Sequence, residues 1–589
     1  MKKSRVLVLI STLVCICILV GMLGSCEPID PPKDSDIEDI VGSIDTSIGG
    51  DDVDSSYDEG SSTKIVFSEG SAAISGTGAV SSGSDVTLTG TGTFVISGET
   101  SDGSIVVDCT SSGEAQIVLS GLDLTNANGP AIYVKNAKKV TLTIAEGTSN
   151  TLSDGNSYSL TDGTTIVDGA IFAKSNLVLN GEGTLTVNGN NAHGIVSKDK
   201  LTVTGGEYKV NSTKSGMYGK DAVKISSADI TINAGTDGIK SDNDVDTDAG
   251  YIYIKDGSFN ITSVNDAVQA INVVSIEGGS FTIKTTSTST ALSAKGVKGT
   301  VGVSITGGTF VMVTEDDSVH SDGDIAISAG DLTLSSADDG VHANDTLSIS
   351  GGRIVIQKSY EGIEATNINV SGGYIEINST DDGMNAAGGN DSNSTATGRP
   401  GGDMFESGTG SIVVSGGYII MHNEGDGVDS NGTLEVTGGV ILVDGPQSGG
   451  NGSFDYGSSA KITGGVVITL GTSDMAQNFS EATQGSILVN SSSSFAAGTV
   501  ISLCDDNGNV VLAFTSTKSF RCALFSAPEL EKGKTYTFYT GATVEGLDEN
   551  GYAHNTTQTG GTSCGSVTLD DYICGQGSGM GGGGFPGRP

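Results

Sequence analysis

At 589 residues the chain is long enough for several domains, but its 70 Asp and Glu so outnumber its 29 Lys and Arg that the net charge is −41. A surface of that sign repels phosphate backbones and excludes nucleic acid as a partner. With 89 glycines, no tryptophan and strand-favouring residues throughout, the composition is that of tight β-turns rather than of a disordered acidic tail.

The N-terminus reads as a targeting element. Lys2, Lys3 and Arg5 precede an apolar run from Val6 to Val20, and small residues follow, which describes a secretory signal over residues 1–25. Leu23-Gly24-Ser25-Cys26 resembles a bacterial lipobox, which would make Cys26 the lipidated first residue of the mature protein. The alternative is an ordinary signal peptide or a membrane anchor with an incidental cysteine. No later stretch is apolar enough to span a bilayer. Residues 26–62, rich in Pro, Asp and Ser, are too polar to bury a core and are expected to form an acidic disordered tether. Cys109, Cys504, Cys522, Cys564 and Cys574 follow, with Cys504–Cys522 and Cys564–Cys574 as candidate bridges; no Cys-x-x-Cys spacing suggests zinc.

From about Thr63 short apolar pieces such as Ile105-Val-Val107 and Ile132-Tyr-Val134 predict loosely spaced strands that cap the open end of a repeat array. The beat then becomes regular at Asp168-Gly-Ala-Ile171, His193-Gly-Ile-Val196, Ser215-Gly-Met-Tyr218, Asp237-Gly-Ile-Lys240, Asp266-Ala-Val-Gln269 and Lys295-Gly-Val-Lys298. It is clearest at Asp317-Ser-Val-His320, Asp339-Gly-Val-His342, Glu361-Gly-Ile-Glu364 and Asp382-Gly-Met-Asn385, whose first residues are 22, 22 and 21 positions apart. Gly307-Gly308, Ala329-Gly330, Gly351-Gly352 and Gly372-Gly373 keep the same step. A period near 22 made of short strands and glycine corners, without helical spacing, predicts an all-β solenoid, a parallel β-helix of about 22 residues per coil over residues 63–490. A Gly/Ser/Asn-rich insertion at 388–410 separates Asp382 from Asp426-Gly-Val-Asp429. Parity sends the apolar residue after each Asp-Gly inward (Ile239, Val268, Val297, Val319, Val341, Ile363, Met384, Val428), and likewise Phe281, Phe310, Ile354, Ile375, Ile419 and Ile441. Residues 491–570 read as antiparallel strands that close the C-terminal end, with turns at Asp506-Asn-Gly508 and Glu531-Lys-Gly533. Residues 571–589 form a Gly-rich tail.

This periodicity has a chemical consequence. Equivalent residues on successive coils stack about 4.8 Å apart, so Asp317, Asp339, Glu361 and Asp382 should form a vertical file of carboxylates. Two charges at that spacing repel by roughly 3–4 kcal/mol at an effective dielectric near 20. A file of them needs protons, cations or a metal, and an oxygen-seeking ion such as calcium is the first candidate. Asp316, Asp338 and Asp381 stand beside the file; Glu364, Asn385 and Asp429 lie three residues on; Asp237, Asp242, Asp266 and Asp426 extend it. The competing reading is that each Asp-Gly only makes a turn. Zinc at His320 and His342 competes with a simple imidazole ladder. Tyr374 and Tyr418 should stack outward on neighbouring coils, either to carry a sugar ring or as a plain cross-strand pair.

Taken together, Asn128-Gly-Pro-Ala-Ile-Tyr-Val-Lys135, Asp237-Gly-Ile-Lys-Ser-Asp-Asn243, Ser359-Tyr-Glu-Gly-Ile-Glu364, Asp381-Asp-Gly-Met-Asn-Ala-Ala-Gly-Gly-Asn390 and Ser448-Gly-Gly-Asn451 resemble a clostridial carbohydrate-binding family. Its members are secreted, calcium-bearing, right-handed parallel β-helices similar to pectate lyases. The resemblance implies binding of plant cell-wall polysaccharide, including acidic pectic chains and cellulose, and the lipobox places that role on a lipoprotein at the outer face of a bacterial membrane. The alternatives are a calcium-dependent pectate lyase, with Lys240, Lys295 or Lys298 as the base, and a structural adhesin or stalk.

Overall fold

The computed structural model describes residues 41–42, 44–289, 291–386 and 410–575. The chain separates into Met1–Asp36 and Ile37–Pro589, and every described residue belongs to the second unit. The signal sequence, Cys26, most of the insertion and the end of the tail therefore lie outside the described residues.

Among the described residues, apart from helical turns at 41–42 and Gly50–Val53, the regular structure is all β. One mostly parallel sheet of 48 strands carries the fold, with a two-stranded hairpin and a separate five-stranded antiparallel sheet beside it. The main sheet is wound as a solenoid-like stack of three ladders. One ladder follows each Gly-Gly, as in Ser280–Thr285, Thr309–Val313 and Asp331–Ser335. A second follows each Asp-Gly phrase, pairing Val319 with Val341, Val341 with Ile363, and Ile363 with Met384. The third joins segments such as Gly302–Ile305 and Asp324–Ile327.

Alternation explains the core. Each of the inward residues expected from parity is buried in one continuous cluster. Phe259, Phe281 and Phe310 stack with ring centroids 4.5 Å apart, one per coil, and Leu332, Ile354 and Ile375 continue the column. The corners need glycine for a steric reason. Gly373 has φ 89°, and a Cβ there would meet the backbone of Gly351 and Gly352 at 3.0 Å. Gly373→Ala is expected to cost about 1–3 kcal/mol, read as a lower midpoint in chemical unfolding; an unchanged midpoint would show that this corner relaxes freely.

At the C-terminal end Val466–Gly471, the last strand of the Gly-Gly ladder, is paired antiparallel by Phe520–Ala527, which covers its free edge. The other predicted closing strands form the five-stranded sheet, in the order Tyr552–Thr556, Val510–Thr515, Val500–Cys504, Thr535–Val544, Gln558–Thr568. The expected bridges are not formed: Cys504 and Cys564 belong to the five-stranded sheet, Cys522 and Cys574 to the main one, and the five cysteines among the described residues are all free.

The segment expected to be a disordered tether is partly built into the fold. Ile44 is buried against Ala222, Tyr251 and Tyr253. Asp45 contacts Lys200 and Lys224 at 3.3 and 3.2 Å and offers its carbonyl to the Tyr251 hydroxyl. Further along, the Asp52 carbonyl accepts from Thr204 and Asn180, Lys139 pairs with the Asp52 carboxylate, and Gln116 reaches the Ser56 carbonyl. Composition could not show this, because the buried Ile44, the carboxylate–lysine pairs and the main-chain acceptors all find their partners far along the chain.

Candidate functional site

The second ladder brings the acidic file together. Backbone amides bond from coil to coil along it: Ser318 to the Asp339 carbonyl, Gly340 to Glu361, Gly362 to Asp382, Gly383 to Asp426. Side chains add a second link. Asp317 Oδ1 accepts from the Asp339 amide at 2.9 Å, Asp339 Oδ1 from the Glu361 amide at 3.2 Å, and Asp382 Oδ1 from the Asp426 amide at 2.6 Å. The turn-making and ligand-holding readings of Asp-Gly are thus not exclusive. One oxygen of these acids caps the next coil, and the other remains for something else.

What that second oxygen meets divides the file in two. In the N-terminal part, Lys295 occupies an acid's place and pairs with Asp316 at 3.0 Å and Asp317 at 2.6 Å. His320 Nδ1 lies 2.8 Å from Asp317 and its Nε2 2.8 Å from Asp322. His342 Nδ1 lies 2.9 Å from both Asp339 and Glu364, and its Nε2 3.1 Å from Asn344. The two imidazoles stack at 5.0 Å. Burial alone would raise the Asp317 carboxyl, yet Lys295 and His320 hold it below the usual carboxylate range. Burial likewise opposes a charge on His342, but its bonds to Asp339 and Glu364 lift it to about 12. Every imidazole nitrogen has a partner and Lys295 supplies positive charge, so this part is a buried ion-pair network, in which Asp317, His320 and His342, and likewise Asp339, His342 and Glu364, can each bring one ligand atom to within 4.8 Å of one another.

The C-terminal part has no such compensation. Asp382, Asp426 and Asp429 can bring one oxygen each to within 4.8 Å of one another. Burial pushes Glu361 to about 9, with Glu364 and Asp339 adding to it, and pushes Asp382 to about 9, with Asp426 and Glu361 adding to it. Burial also lifts Asp426 to about 7 and Asp429 to about 6; Asp429 and Asp455 act on the first, Asp455 and Asp381 on the second. For Asp382 and Asp429 the charged neighbours that matter are all carboxylates. Asn385 lies between Glu364 and Asp429 in the ladder, and its Nδ2 donates to Glu361 at 2.9 Å. Its Oδ1 is buried without a hydrogen-bond partner. Gly425 closes against the group: a Cβ there would meet Asp382 Oδ1 at 2.3 Å and Asp381 Oδ1 at 2.4 Å. An all-oxygen set with an orphaned amide oxygen and closely packed backbone fits a hard divalent cation.

The remaining candidates lie elsewhere or in other company. Asp266 is buried and accepts from the Ser293 hydroxyl and the Lys295 amide, a structural role. Asp237 and Asp242 flank Lys240 at 3.3 and 3.8 Å, so a lysine already answers their charge. Asp338 joins Asp316 and Asp317 in a separate acidic group. Tyr374 and Tyr418 stack at 5.6 Å as expected, but the five-stranded sheet engages them. Asp548 accepts from the Tyr418 hydroxyl at 2.8 Å, Asn550 donates to both hydroxyls at 3.3 Å, and Tyr552 packs its ring at 6.2 Å. They dock the C-terminal sheet.

Two stretches of the chain, residues 82–340 and 335–508, match a family model described as carbohydrate-binding domain-containing protein. The chain belongs to this carbohydrate-binding domain family. A carbohydrate-binding domain-containing protein of Acetivibrio thermocellus is 34% identical over 129 residues, which are 22% of this chain and 45% of that protein. The chain thus spans less than half the length of that relative. A solved structure of a polysaccharide lyase-like protein from C. thermocellum, a gadolinium derivative, is 31% identical, with 43% of this chain and 94% of that one covered, at a TM-score of 0.36.

Proposed function

We propose that this protein is a lipid-anchored lipoprotein on the outer face of a bacterial membrane that binds uronate-rich cell-wall polysaccharide through calcium. In this reading the solenoid is a right-handed parallel β-helix of about 22 residues per coil, and Asp382, Asp426 and Asp429, with Asn385 beside them, hold the ion. Membership of a carbohydrate-binding domain family supports a polysaccharide partner. The observation that carries the calcium is the uncompensated oxygen cluster at the C-terminal part of the file. A chain at −41 would otherwise repel a polyuronate, and a divalent ion shared between protein and sugar carboxylates turns that repulsion into attraction.

Retention of the full chain on immobilised polygalacturonate is expected with calcium and to fall by about tenfold or more in excess chelator. Equal retention in both would exclude bridging. The same incubations, assayed for unsaturated uronate products, test the lyase alternative, and steady accumulation would replace a binding role with catalysis. Lys295, one candidate base, is committed to Asp316 and Asp317.

A further inference from the structure

Followed toward the N-terminus, the site's own ladder changes sign. In register it reads Tyr218, Lys240, Gln269, Lys298, His320, His342, Glu364, Asn385, Asp429. The cationic end lies beside the hairpin formed by Leu160–Asp162 and Thr165–Val167. Asp162 ties that hairpin to the coils, accepting from the Tyr133 hydroxyl at 2.7 Å and from Lys174 at 2.8 Å. Between the hairpin tip and the coils lies an open cleft of about 780 Å³.

Four lysines (Lys198, Lys214, Lys220, Lys240) line it against three aspartates, a local positive excess in a strongly acidic chain. Lys214 and Lys240 have carboxylate partners. Lys198 and Lys220 have none within ion-pair distance among the described residues. The Lys198 ammonium instead lies over the rings of Tyr218 at 5.1 Å and Phe172 at 5.6 Å. Burial lowers the Lys198 ammonium below its usual range, the mark of a cation whose solvent has been partly replaced. The Ser215 amide donates to His193 Nδ1 at 3.2 Å, leaving Nε2 to carry the proton on a ring that burial keeps neutral down to about 4. Neutral polar groups of Ser215, Thr236 and Asn265 interleave with these charges, and Ile166 stands 63% exposed at the rim.

We infer that this cleft binds the carboxylates of an acidic glycan directly on Lys198 and Lys220, with no bridging cation. The choice of a glycan rests on the function proposed above. It also suits a cleft far larger than an inorganic anion needs, with hydrogen-bonding groups for hydroxyls and an apolar rim for a sugar's C–H face. One face would then hold a polyuronate at two kinds of point, by ammonium groups at one end and through calcium at the other.

The test titrates a galacturonate tetramer into the full chain in excess chelator, using wild type, the double variant K198Q/K220Q and D382N/D426N. Wild type and D382N/D426N are expected to bind alike, more weakly as salt rises, while K198Q/K220Q loses about tenfold or more. Terbium luminescence at the acidic cluster should be the same in K198Q/K220Q as in wild type, which shows the lysine variant to be folded. No binding by wild type in chelator, or equal binding by K198Q/K220Q, overturns the inference and leaves calcium bridging standing. Equal competition by inorganic phosphate overturns the glycan assignment of the cleft. Failure to bind the tetramer with calcium and without it would instead overturn the proposed function.

Discussion

D382N/D426N is expected to lower calcium affinity by about 100-fold or more, measured by calorimetry on the full chain, and at the same time to raise the thermal midpoint of the metal-free protein at pH 8. The two signs are opposite because the acids have two separate jobs. Asp382 Oδ1 caps the Asp426 amide, and an asparagine oxygen can do the same, so coil-to-coil bonding survives. At pH 8 burial and the neighbouring Asp426, Glu361 and Asp381 oblige Asp382 to take up a proton on folding, whereas an amide needs none, so the substitution relieves the fold. A cation, in contrast, loses anionic ligands for which an amide oxygen is a poor substitute. Loss of stability in chelator would show that the carboxylates serve packing and not an ion.

The second expected result is a stability profile that falls with pH. Glu361 and Asp382 titrate near 9 in the folded chain, well above an unfolded carboxyl near 4. The folded state therefore binds more protons than the unfolded one across that window. The stabilisation is fully present below about pH 4 and is lost as pH rises through the folded values. His342, raised to about 12, adds a loss of the same sign above its unfolded value near 6.5. His193 runs the other way, but only between about 4 and 6.5, and the depressed Asp45, Asp317 and Asp444 act below about 4. Between about pH 6.5 and 9 the midpoint of chelated protein should decline steadily, and saturating calcium, which binds the deprotonated cluster, should flatten or reverse the slope. A chelated midpoint that rises over this range would sink the assignment of protonated carboxylates to the metal-free site.

Much of this was readable in one dimension, and the reason is the periodic backbone. When a phrase repeats along a solenoid-like stack, equal positions in it become neighbours in space, and parity alone decides which side chains face in. The buried column from Phe259 to Ile375 and the file Asp317, Asp339, Glu361, Asp382 follow from spacing, without any knowledge of distant contacts. What the spacing could not reveal is how each acid's second oxygen is answered. Lys295 falls at an acid's position, 22 residues before Asp317, and so turns one part of the file into an ion-pair network while the other part stays uncompensated.

The remaining surprises come from segments that leave the repeat. Asp548 and Asn550 reach Tyr418 and Tyr374 from 130 and 176 residues away, converting an exposed aromatic pair into a docking seam. Residues 45–56 make hydrogen bonds to coils 60 to 206 positions downstream. Lys198 and Lys220 stand 22 residues apart at the same position in the phrase, but Lys214 and Lys240 do not, and the hairpin at 160–167 that completes the cleft lies outside the repeat. A repeat fixes neighbours through hydrogen bonds every coil must make, whereas a segment outside it is placed by side-chain contacts that carry no spacing. Composition and period were therefore enough for an acidic all-β solenoid with a carboxylate file, and tertiary contacts alone decided which of those carboxylates remain open to a ligand.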